Sequence, residues 1–158
     1  MSLLVLCRSA LVLFVVLASA CGASVTGPGQ VGPVRLTAHV NRIQIAPGAT
    51  AVVTLRLENL TSSPVTLDFG SACQVMPYVV RRPGNEIVYP SGGGWGCAAV
   101  VTSLTLPANG VVDRELEVIA GETSGDRVGL LPGDYVFFAR LHDRVYKLES
   151  NRVTLQVL

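Results

Sequence analysis

The sequence predicts an all-β domain, an immunoglobulin-like antiparallel β-sandwich of seven to nine strands, preceded by a signal peptide and a flexible tether. Three observations predict it. From residue 34 onward, apolar and polar residues alternate with a period of two in one run after another. Clusters of Pro, Gly, Asn and Ser separate those runs. No window sustains the helical period of about 3.6 residues.

The runs follow one another along the chain. Val34, Leu36, Ala38 and Val40 alternate with Arg35, Thr37 and His39, and Val53, Leu55 and Leu57 alternate with Thr54, Arg56 and Glu58. Each run offers one face to a core and one to water, as half-exposed antiparallel strands do. The pattern returns at Val65–Phe69, Val100–Leu106, Leu116–Val118, Tyr135–Leu141 and Val153–Val157. Turn chemistry stands between them: Ala-Pro-Gly at 46–48, Ser-Ser-Pro at 62–64, Pro-Gly-Asn at 83–85, Pro-Ala-Asn-Gly at 107–110 and Leu-Pro-Gly-Asp at 131–134. An eight-stranded barrel is the lesser alternative.

Ahead of this domain, residues 9–20 form an apolar stretch that ends in small residues and follows a single base, Arg8. That is the length and flank of a signal peptide, and it falls short of the ~20 apolar residues a spanning helix needs. Leu17-Ala18-Ser19-Ala20-Cys21 resembles the lipobox of bacterial lipoproteins, which implies cleavage after Ala20 and a diacylglycerol on Cys21. Residues 21–33 then read as the lipidated cysteine and a Gly/Pro-rich tether, with the folded domain over 34–158. Gly27, Gly29 and Gly32 spell G-x-G-x-x-G, but no strand precedes them and no helix follows, so the phosphate-binding reading fails.

Charge and cysteine count narrow the function. Without Arg8, eleven bases balance eleven acids, so nothing draws the mature chain to nucleic acid. Of the four cysteines, Cys7 leaves with the leader and Cys21 carries lipid. Cys73 and Cys97 remain as a pair, and in an exported chain a pair reads as a disulfide. A metal site is not expected, because no C-x-x-C is present and no histidine lies nearby.

No constellation of catalytic residues is legible. His39 and His142 are the only histidines, and each falls on the polar face of an expected strand. The sequence holds no G-x-S-x-G, no H-E-x-x-H and no phosphate loop, so the expectation is a non-enzymatic domain without cofactor. Asp113, Glu115 and Glu117 share one strand face and read as a solvated edge that discourages aggregation. Asn59-Leu60-Thr61 matches a glycosylation sequon and reads as a turn instead. The most function-like stretch is Tyr89–Cys97, where the only tryptophan, Trp95, sits among glycines beside a disulfide cysteine. Tyr89 and Trp95 are the candidate partner contacts; the alternative is that Trp95 folds back to cap an open end of the sandwich.

Several of these residues carry a family resemblance. Leu57–Ser71, Tyr78-Val-Val, Gly84, Ile87–Ser91, Leu104–Pro107 and Pro132–Tyr135 resemble the BsuPI family, the intracellular proteinase inhibitor domain of bacilli, over roughly residues 50–140. The resemblance implies an immunoglobulin-like fold and a proteinase-inhibiting role. Pro77 and Tyr89-Pro90 depart from the family pattern, and the leader implies a place outside the cytoplasm. The function expected is therefore a membrane-tethered module that binds a protein partner, a protease being one form. The alternative is a structural or assembly accessory of the cell envelope, on its periplasmic side.

Overall fold

A computed structural model describes residues 29–158. The leader, Cys21 and the first part of the tether lie outside the described residues. The described chain is nearly all β, with the strands β1 Gln30–Val31, β2 Val34–Val40, β3 Gln44–Ile45, β4 Thr50–Asn59, β5 Val65–Phe69, β6 Val75–Arg82, β7 Glu86–Tyr89, β8 Thr102–Leu106, β9 Val111–Ala120, β10 Val128–Leu130, β11 Gly133–His142, β12 Lys147–Glu149 and β13 Val153–Val157. The expected seven to nine strands match the eight that have five residues or more; five shorter ones bring the number to thirteen.

Two sheets face each other. One runs β1-β2-β4-β9-β10 and the other β3-β13-β11-β6-β7, with β12 beside β11. The alternation read from the sequence sets their inner faces: Leu36, Val53, Leu55 and Leu57 from the first sheet meet Val79, Tyr135, Phe137 and Leu155 from the second in one buried cluster. Fully burying each such side chain contributes about 1.5–3 kcal/mol. The Tyr135 hydroxyl donates to the Leu131 carbonyl at 2.7 Å and so ties the start of β11 to the preceding turn. Tyr135→Phe is expected to cost about 1 kcal/mol, seen as a lower urea midpoint with an unchanged m-value.

The sheets are not purely antiparallel, contrary to expectation. β10 pairs β9 in parallel, and β3 pairs β13 in parallel. The first arises because the chain leaves β9 and loops back over residues 121–127 to run beside its own last three positions. Gly129 permits this, since a Cβ there would collide with the backbone of residues 121–123.

A third, two-stranded sheet pairs β5 with β8. It prolongs the ladder of β4 with β9: Glu58 faces Val111 in one, and Val65 faces Leu106 in the other. The ribbon bends over one end of the sandwich and buries Leu67, Phe69 and Leu106 completely.

The paired structure also begins earlier than the sequence predicts. Gln30 and Val31 pair with Arg35 and Val34, inside the stretch read as tether, and the Leu36 amide donates to the Gly29 carbonyl at 2.7 Å. Gly29 has φ +87°, and a Cβ there would collide with the Leu36 carbonyl oxygen, so only glycine lies this close to the strand.

Candidate functional site

Residues 90–101 contain no strand, only one 3-10 turn at Ser91–Gly93. Cys73 and Cys97 form a disulfide with a Cα–Cα distance of 5.5 Å, which fixes this segment to the chain just ahead of β6. Trp95 does not project freely, and it does not cap an end of the sandwich. It folds onto the outer face of the second sheet, where it and both disulfide cysteines pack against Met76, Tyr78, Val80 and Phe138. Tyr89 meets the Trp95 ring edge-on at 5.4 Å between centroids, while its own ring also packs against the main core. The two candidate contact residues are therefore joined, and both are half-buried.

A second arrangement shares that face and was not anticipated. Tyr78 and Phe138, neighbours across β6 and β11, stack at 5.2 Å with rings 10° from parallel. Arg140 lies 5.1 Å from the Tyr78 centroid and Arg152 lies 4.6 Å from that of Phe138. Glu149 holds both guanidiniums, at 3.0 Å from Arg140 and 2.8 Å from Arg152. The arginines thus lie over the rings and donate to one shared carboxylate.

Burial pushes the Glu149 carboxyl up, and hydrogen bonds from Arg152 and Arg140 outweigh it, so the group titrates below the ordinary glutamate range. A lowered folded-state value means stability that is present above the unfolded value and lost as the pH falls through the folded one. Glu149→Gln is accordingly expected to lower the urea midpoint modestly at neutral pH, with the difference from the unmodified chain vanishing in acid. The effect stays modest because the pair is partly solvated.

Other residues singled out by the sequence fall as follows. His39 and His142 are both exposed, on β2 and at the end of β11. Among the described residues no group of three His, Cys, Asp or Glu could hold a metal ion. Asp113, Glu115 and Glu117 are exposed along β9, and Arg56 takes Asp113 through two hydrogen bonds. Asn59 is 2% exposed, and its amide is consumed by a turn: it donates to the carbonyls of Ser63, Leu106 and Pro107 and accepts from Thr61. That occupancy leaves the sequon without a free nitrogen.

Two polar residues escaped sequence reasoning. Asp143, 3% exposed, accepts from the amides of Asp68, Val145 and Tyr146 and so fixes the turn after β11 to β5. Asn151 pairs with both backbone groups of Ala38, as a neighbouring strand would. Asn and Asp are common in exposed turns, so composition alone gave no signal for either.

No protein-family model matches the chain. No curated protein matches it. Solved structures are similar over most of its length. A β-glucosidase from Erythrobacter marinus is 12% identical with a TM-score of 0.45, over 79% of this chain and 15% of its own. The sporulation control protein Spo0M from Bacillus subtilis is 9% identical with a TM-score of 0.43, over 80% of this chain and 50% of its own. The CARDB domain of PF1109 from Pyrococcus furiosus is 10% identical with a TM-score of 0.46, over 81% and 98%. The chain therefore spans half or less of the first two. Identities and scores of this size carry no functional argument.

Proposed function

We propose that this chain is a non-enzymatic protein-binding domain, exported and held at a membrane by a lipid on Cys21, with the Tyr89–Cys97 loop as its contact surface. The observation that carries the reading is the disulfide between Cys73 and Cys97. Such bonds persist in oxidising compartments outside the cytoplasm, where the leader and the lipobox-like Leu17–Cys21 would deliver the chain. The same bond holds Trp95 and Tyr89 in place ahead of any encounter, which lowers the ordering cost of binding. Among the described residues, no helix is long and apolar enough to cross a membrane.

The fold supports a finer reading. The strand orders β2-β4-β9 and β13-β11-β6 support reading them as strands A-B-E and G-F-C of an immunoglobulin-type sandwich. The Tyr135 hydrogen bond near the start of β11 matches the tyrosine corner of that fold. The BsuPI resemblance implies an immunoglobulin-type sandwich, and inhibition of a proteinase is the specific form of the proposal.

The test is co-purification from detergent-solubilised envelope, with intact mass measured on the same sample. A diacylated N-terminal Cys21 and a partner lost on Trp95→Ala but kept on Trp95→Phe are the expected results. An unmodified N-terminus would overturn the anchor, and equal capture by Trp95→Ala would overturn the loop. A panel of purified proteinases then decides the inhibitory form.

A further inference from the structure

The two margins of the first sheet are treated differently. On β2, the backbone groups that point away from β4 belong to Val34, Leu36, Ala38 and Val40. Val31 pairs with Val34, Gly29 accepts from Leu36, and the Asn151 amide takes both groups of Ala38. That margin is covered over Val34–Ala38. On β9, β10 covers only Val118–Ala120. The Asn59 amide donates to Gly110 next to the start of the ladder, so even-numbered residues of β9 face β4, and Val111, Asp113, Glu115 and Glu117 face outward. The pairing of Val128 with Val118 places the Glu117 carbonyl on β10; the other outward N–H and C=O groups, from Val111 to the Glu117 amide, lie on no ladder of the described residues, and all four residues are exposed.

An open edge from Val111 to the Glu117 amide is unusual, because such edges invite pairing with other chains. The side chains on it decide what can pair. Asp113 is already neutralised by Arg56, whereas Glu115 and Glu117 are in no ion pair of the described residues. A second copy of β9 laid antiparallel would set carboxylate against carboxylate, which disfavours self-pairing. Between the two acids Leu116 turns toward the core and is buried.

The geometry points to strand addition: the β9 edge over Val111–Glu117 takes an extended segment of a partner protein that reads basic, apolar, basic. The two bases stand opposite Glu115 and Glu117, and the apolar residue lies beside Leu116. The main-chain bonds give affinity and the alternating side chains give choice of partner. This rests on the protein-binding reading above and names both the surface and the chemistry of the partner.

The experiment is hydrogen–deuterium exchange on the purified full chain with two capped pentapeptides, Lys-Val-Lys-Val-Lys and Glu-Val-Glu-Val-Glu. The basic peptide is expected to slow exchange in fragments covering residues 111–117 and to leave β2 unchanged. Glu115→Lys with Glu117→Lys should weaken it at least tenfold and make the acidic peptide the better ligand, with the melting temperature unchanged. Protection spread over the whole surface, or equal binding of the basic peptide to the charge-reversed chain, would overturn the inference. If an envelope partner is captured and the charge reversal does not weaken it, the edge is wrong and the binding reading stands. If the peptide binds at β9 and no partner is captured in a Trp95-dependent way, the edge stands and the loop reading falls.

Discussion

Replacing Asn59 by Ala is expected to lower the stability of the fold by about 2–3 kcal/mol, because several hydrogen bonds worth about 0.5–1.5 kcal/mol each are lost together. The side chain sits where the long ladder of β4 with β9 breaks into the ribbon of β5 with β8. There the two backbones lose register: six residues lie between Glu58 and Val65 on one side, and four between Leu106 and Val111 on the other. The Asn59 amide donates to the carbonyls of Ser63 and Pro107, which also accept from the Thr61 hydroxyl and the Gly110 amide, and at 3.3 Å to that of Leu106. Its oxygen accepts from the amide and hydroxyl of Thr61. No alanine can replace these, and Asn59→Asp is expected to be equally damaging because it points an acceptor at three carbonyls. Urea unfolding of the purified chain checks the prediction. A loss below about 1 kcal/mol, the net worth of a single hydrogen bond, would mean that water replaces the amide and that the bend is not held by this residue.

The same residue marks the limit of what the sequence makes legible. A period of two identifies a strand when one face is wet, which is why β2, β4 and β13 could be read directly. β6 has no such contrast. Val79 faces the main core while Met76, Tyr78 and Val80 face the cluster beneath Trp95, so the strand is apolar on both sides and shows no alternation. Short pairings such as β1, β3 and β10 are invisible for another reason, since they depend on where a loop returns rather than on their own residues.

The candidate site divides along the same line. The Cys73–Cys97 pair follows from counting, because Cys7 falls in the expected leader and Cys21 in the lipobox-like stretch, which leaves one pairing. The position of Trp95 on the outer sheet face could not follow, since it depends on a cluster built by a strand the periodicity does not reveal. The cover of Arg140 and Arg152 over Tyr78 and Phe138 joins residues from two strands and a loop, and no local spacing encodes it.

Replacing both Cys73 and Cys97 by Ser is expected to cost about 3.5 kcal/mol, the chain-entropy value for closing a loop of this length, given a sequence separation of 24. The bond spans β6 and β7 and returns to the 90–101 segment, so it restrains the unfolded chain across the hairpin that forms one margin of the second sheet. It also acts locally. Trp95 and the two cysteines are the partly buried residues packed on Met76, Tyr78, Val80 and Phe138, so a freed segment exposes that cluster. Two measurements separate these effects. Chain entropy alone lowers the urea midpoint and leaves native tryptophan fluorescence unchanged, because it acts on the unfolded state. Loss of the local restraint shifts Trp95 emission to longer wavelength before the global transition, as the indole leaves the Tyr89 and Phe138 side of the sheet for water. Since Trp95 is the only tryptophan of the chain, the signal has a single source. An early shift would also link stability to binding, because the residue that leaves the sheet is the proposed anchor of the partner. A double variant as stable as the unmodified chain, with unshifted emission, would show that packing on the outer face holds the segment without the bond.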